Sequence, residues 1–189
     1  MKFHYSFISF LILLFSSNAL FAQEEFVCVW RNPERTMTRI FPDARDYRTV
    51  DYRISREQRR AIEERLGSQL LRGQQTQYQN YEMIGNDGVV IGHTIAASQR
   101  GEFGAIEFVF GLDTNLVIKG IYIQRTRERN TTFREREFLD LFVGKGIEDI
   151  ETIEDLYEGE SSYGTDAVIL GIRKELMTFD EMVLRQEGE

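Results

Sequence analysis

Histidine, cysteine and proline are nearly missing: two, one and two among 189 residues. So few soft ligands exclude disulfide scaffolds, iron–sulfur clusters and most zinc sites, and no Cys-x-x-Cys or His-x-x-x-His spacing exists to hold a metal. Positive charge is also in deficit. The chain carries 23 basic against 31 acidic residues, a formal net charge of −8, which argues against nucleic acid as a partner. Gly-x-Ser-x-Gly, Gly-x-Gly-x-x-Gly and Walker A loops are absent, and each absence removes an enzyme class. What remains is 42% apolar and 12% aromatic residues, enough for one domain with a real core rather than a disordered tail.

The first 22 residues read as an export signal. Lys2 gives a positive start, Phe7 to Phe15 an apolar run, and Ala19 to Ala22 a small-residue cleavage region. The run is about half of the ~20 residues that a membrane-spanning helix needs, and Ser16, Ser17 and Asn18 end it. Residues 1–22 are therefore expected to be a cleaved signal peptide and residues 23–189 the exported, periplasmic domain. Cleavage after Ala22 removes Lys2 and His4, leaving His93 as the only histidine. Cys28 is then a lone thiol in an oxidising compartment, read either as a small buried residue or as an intermolecular disulfide partner.

Arginine outnumbers lysine nineteen to four, and charge is unevenly spread: residues 31–65 carry a net +3 and residues 146–189 a net −10. Ser55 and Gln58 form a capping-box pattern ahead of a helix over Arg56–Leu66 that Gly67 ends. A second helix is expected over Phe133–Phe142. Val168, Ile172, Leu176, Phe179 and Val183 are spaced by 4, 4, 3 and 4, one face of a third, long helix. Between them Tyr78–Ile84, Val89–Ala97, Ala105–Gly111 and Leu116–Gln124 read as strands separated by turn chemistry such as Asn86-Asp87-Gly88. Connections so short require antiparallel pairing. The expected fold is α+β: one domain, an antiparallel sheet of about four strands, flanking helices and a long C-terminal helix.

A nucleophilic triad has only His93 as candidate base, and its place within a strand reads as a satisfied structural histidine rather than a catalytic one. One junction carries possible chemistry: Glu158 to Val168, leading into the long helix. Its Ser and Thr hydroxyls suit capping of free backbone N–H groups, and the same N–H groups can bind a phosphate.

Several blocks in order resemble the FMN-binding domain of the RnfG and NqrC type of electron-transport subunit and related exported flavoproteins. They are Ile40-Phe41-Pro42-Asp43-Ala44, the Ser55–Gly67 helix, Val90-Ile91-Gly92-His93, Ile106–Tyr122, Phe138 to Lys145, Ala167-Val168 and Gly171-Ile172-Arg173-Lys174. The resemblance spans roughly residues 38–184. It implies FMN as cofactor, attached as a phosphoester to a hydroxyl just before the last helix by a dedicated flavin transferase. The acceptor position corresponds to Ser162, or to Thr165 if a gap is allowed. Family members read Ser-Gly-Ala-Thr where this chain reads Gly159-Glu160-Ser161-Ser162. The remaining implied contacts are Ser161, the backbone of Tyr163, Gly164 and Thr165, and a border formed by Glu128 and Thr131. Tyr163 is then either a ring stacked on the flavin or a core tyrosine. The resemblance implies an electron carrier or redox-complex subunit rather than a stand-alone enzyme. Its partner would be a cytochrome or a membrane electron-transport subunit, steered by seven acids between Glu148 and Glu160. The alternative is a non-redox binding or assembly module with the same fold.

Overall fold

Where the sequence carries its own start and stop signals, the backbone follows them. The computed structural model describes residues 34–185, so the expected signal segment and Cys28 lie outside the described residues. Helix α1 (Glu34–Ile40) precedes strand β1 (Asp46–Arg53), and helix α2 (Arg56–Leu66) follows it. Ser55 Oγ accepts from Gln58 N at 3.2 Å while Gln58 Oε1 accepts from Ser55 N at 2.9 Å, the capping box in full. Gly67 closes α2 in the left-handed region, φ 72°.

The next four strands form a continuous meander: β2 (Gln77–Ile84), β3 (Val90–Arg100), β4 (Ala105–Asp113) and β5 (Ile118–Arg125). With β1 they make one five-stranded antiparallel sheet in the order β1-β2-β3-β4-β5. The expected count of four missed β1. Its sequence, Asp-Tyr-Arg-Thr-Val-Asp-Tyr-Arg, shows little apolar alternation because an edge strand can stay half exposed on both faces. It is held by its ladder to β2 and by the ion pair of Arg48 with Glu82, directly opposite.

The C-terminal third departs from expectation once more. The helix expected over Phe133–Phe142 is broken at Glu135, whose ψ of 144° is extended. A 3-10 turn (Thr132–Arg134) precedes it, and only Arg136–Asp140 is α-helical (α3). Residues Ile147–Leu156 form a longer 3-10 segment, and helix α4 (Tyr163–Phe179) ends in a π turn, Asp180–Leu184.

The two sheet faces bury different partners. On one, α4 lays Val168, Ile172, Leu176 and Phe179 over Ile95, Ile106, Phe108 and Phe110. Full burial of each such side chain contributes roughly 1.5–3 kcal/mol. On the other face α1 packs Met37, Ile40 and Phe41 against Tyr81, Met83 and Val109. Gly111 is what lets it come so close, since a Cβ there would lie 2.6 Å from Phe41 Cε2. Strand β4 is thereby buried on both faces, which is why its sequence is nearly continuous in apolar residues.

The β2–β3 ladder runs from Ile84↔Val90 to Asn80↔Ile95 and stops, although β2 continues back to Gln77 and β3 on to Arg100. The strands splay, and the freed carbonyl of Ser98 accepts instead from Gln74 Nε2 (3.1 Å) and Lys174 Nζ (2.9 Å).

Candidate functional site

The direction of α4 decides where its entrance lies. Gly171 sits over Phe108 and Gln99, and Phe179 meets His93 edge-on at 5.0 Å, so the helix runs back along β3. Its N-terminus therefore stands at the end of the sheet that carries the β3–β4 hairpin and the exit of β5. His93 is packed in the sheet, as its strand position suggested.

Two residues, Ser162 and Thr165, build the entrance by local hydrogen bonding. Thr165 N donates to Ser162 Oγ at 3.2 Å, and Ser162 N donates to Thr165 Oγ1 at 2.9 Å. Thr165 Oγ1 in turn donates to Ser162 O at 3.0 Å. This leaves the amides of Tyr163 and Gly164, the first two of the helix, outside the capping bonds and at the positive end of the helix dipole. Of the two implied acceptors, Ser162 is half-buried while Thr165 is fully buried. Tyr163 is 66% exposed, which removes the core-tyrosine reading. Ser161 is exposed, and its Oγ donates to Asp166 Oδ2 at 2.7 Å, placing a carboxylate in the first turn.

Tertiary packing brings a second segment to this entrance. Phe133, fully buried, lies flat against Gly164: a Cβ there would be 2.5 Å from Phe133 Cε1. Thr131, two residues before, is exposed and its carbonyl accepts from Arg134 N at 2.8 Å. Glu128 does something else. It is buried, and Oε1 accepts from Phe103 N at 2.8 Å, so its carboxylate ties the β5 exit to the β3–β4 hairpin. Arg129 covers the Phe103 ring at 4.9 Å from the centroid.

A groove of about 520 Å³ runs beside the entrance, along the outer edge of β5 from Ile121 to Thr126. Leu139 forms its apolar wall, and Arg125, Arg134 and Arg136 line it, with Arg134 also stacked over Phe133 at 5.6 Å. The sequence reading passed over these arginines. The signal was present: positions 125, 127, 129, 134 and 136 are all arginine. Three of them, Arg125, Arg134 and Arg136, converge on the groove, which depends on the break at Glu135 that turns Arg136 away from a continuous helix. Guanidinium groups beside an aliphatic wall suit an anionic, partly planar ligand, with Arg125 also paired to Glu107 (3.7 Å) and Arg136 to Asp140 (3.3 Å).

The acidic run is less bare than its sequence. Arg173, contributed by α4, bonds Glu151 (3.4 Å) and Glu154 (3.0 Å) and also donates to the carbonyls of Arg65 and Leu66. Lys145 pairs with Asp149 at 3.5 Å. Glu148, Asp155, Glu158 and Glu160 remain exposed.

Among the described residues no helix is long and apolar enough to cross a membrane. No protein-family model and no curated protein matches the chain. Among solved structures, it is similar to the crystal structure of NqrC from Shewanella oneidensis, at 12% identity and a TM-score of 0.45, over 82% of this chain and 84% of that one. A likeness of that order leaves the function to be argued from the residues of this chain.

Proposed function

We propose that this chain is an exported, FMN-binding electron-transfer protein whose flavin sits at the entrance of α4. One observation carries the reading beyond the order of its sequence blocks. Two segments about thirty residues apart, Thr131–Phe133 and Ser161–Thr165, meet through the Phe133–Gly164 contact beside an arginine-lined groove. The donor set fits the group. The amides of Tyr163 and Gly164 lie outside the capping bonds at the positive end of the helix dipole, Ser162 Oγ is the less buried of the two implied acceptor hydroxyls, and exposed Tyr163 offers a ring to stack on an aromatic system.

FMN, when bound, supplies one- and two-electron chemistry. The protein's part is to hold and tune it. Ser162 Oγ would hold the FMN phosphate while still accepting from Thr165 N. Arg134 and Arg136 offset negative charge on the ligand. Exposed Glu148, Asp155, Glu158 and Glu160 favour a partner with a basic face, a cytochrome or a membrane electron-transport subunit, with rates that fall as salt rises.

A second reading, a non-redox module of the same fold, is favoured by Asp166. Its carboxylate, tied to Ser161, lies in the first turn of α4, where it competes with a phosphate for the helix end. Co-expression of the full chain with a flavin transferase distinguishes the two. The flavin reading expects a yellow protein carrying one FMN, a native N-terminus at Gln23, and loss of the adduct in Ser162→Ala but not in Thr165→Val. A colourless chain that also takes up no added FMN establishes the second reading.

A further inference from the structure

The splay between β2 and β3 opens a cleft of about 250 Å³ at the flank of the sheet opposite β5, closed over by α4. Its volume is that of about eight waters at ~30 Å³ each. Tyr78 lines it and is only 6% exposed, yet its hydroxyl has no hydrogen-bond partner. Burying a polar atom without a partner is costly, so a fold that keeps the Tyr78 hydroxyl this way in the wall of a cleft points to a ligand that completes it.

The charges in the wall define that ligand. Lys174 is 2% exposed and has more acceptors than hydrogens: Gln74 Oε1 (2.9 Å), Ser98 O (2.9 Å), Gln99 Oε1 (3.2 Å) and Glu175 Oε1 (3.1 Å). Its ammonium is therefore spent, and no cation of the wall is left for an anionic guest. The charges that remain are carboxylates. Glu175 uses one oxygen on Lys174 and lines the cleft together with Tyr78, and Asp51 stands at the rim with one oxygen accepting from Gln79. Ile54 and Leu70 supply an apolar strip between them.

We infer that this cleft is a second binding site that takes a small primary-amine cation. The ammonium donates to Glu175 and to the Tyr78 oxygen, Asp51 adds attraction at the rim, and the hydrocarbon lies on Ile54 and Leu70. The site is independent of the α4 entrance and of any flavin.

Isothermal titration of the full chain with n-butylammonium chloride at constant ionic strength tests this. n-Butanol, with the same hydrocarbon and no charge, and tetramethylammonium chloride, with charge and no N–H donor, are the comparison probes. Saturable one-site binding is expected for butylammonium alone. Loss of the charged acceptor in Glu175→Gln weakens it about tenfold or more. Tyr78→Phe and Asp51→Asn weaken it several-fold, and Asp51, on an exposed edge strand, leaves the buried pair intact if Glu175→Gln does not fold. Ser162→Ala binds as the unaltered protein does. No saturable binding of butylammonium overturns the inference, as does an equal response to tetramethylammonium or unchanged affinity in both Tyr78→Phe and Asp51→Asn.

Discussion

The two halves of α4 are built on opposite principles. At its entrance, the hydrogen bonds join residues three to five apart: Ser162 with Thr165, Ser161 with Asp166. In its middle, Lys174 reaches groups 75 to 100 positions away, on Gln74, Ser98 and Gln99. The entrance is half exposed and its polar groups serve the helix itself. The middle buries a charged pair that no local signal asks for, and that pair lines the cleft where two strands part. Local bonds follow from residue type and spacing. Distant ones exist only once the sheet has splayed, so the same helix carries one region legible in sequence and one that is not.

Removing Lys174 should break the comparison most severely. Lys174→Ala strands the Glu175 carboxylate and frees Ser98 O and two glutamine oxygens in the interior. A loss of about 3–5 kcal/mol is expected, read by urea unfolding. A loss below about 1 kcal/mol would show that water already serves those acceptors.

The entrance offers a smaller and sharper test. Gly164→Ala puts a Cβ into the Phe133 ring, whose packed position leaves little room to yield. Overpacking of this kind costs about 1–3 kcal/mol, and the better helix propensity of alanine returns up to about 1 kcal/mol. Net destabilisation in thermal unfolding is the expected result. A more stable variant would mean that Phe133 is free to move, and would detach the Thr131–Phe133 segment from the entrance.

The mildest test is pH. Burial pushes the Glu175 carboxyl above its ordinary value, with Lys174 pulling in the opposite direction. Between the usual glutamate range and that raised value, the folded chain holds a proton that the unfolded chain has released. Stability therefore falls as pH rises through the window. Thermal midpoints compared from about pH 4 to 8 should show that slope in the unaltered protein and a flatter one in Glu175→Gln. Parallel curves would show that burial does not raise the Glu175 carboxyl.

The same division runs through the fold. Capping at Ser55 and Ser162, the stop at Gly67 and the stripe from Val168 to Val183 were readable because each is a short-range pattern with a local physical cause. β1 was not readable, because its stability comes from a ladder to β2 and an Arg48–Glu82 pair rather than from burying alternate residues. The helix break at Glu135 was hidden for a related reason: Phe133 follows its burial against Gly164 instead of the helix register of Phe138 and Phe142. In the acidic run the sequence showed seven carboxylates and no base, whereas the fold supplies Arg65 and Arg173 from two other helices.

By itself, then, the sequence determined an antiparallel α+β domain, its principal helices, and a hydroxyl-rich helix entrance, since periodicity, caps and turns act over a few residues. Tertiary structure alone decided that Phe133 meets Gly164, that arginines of the β5 exit and of α3 share a groove, that Glu128 serves the hairpin, and that Lys174 and Glu175 face a cleft in the sheet. Those outcomes depend on where strands diverge and on which side chains burial forces together. Such choices are made by the energy of the whole packed chain, not by any stretch of it.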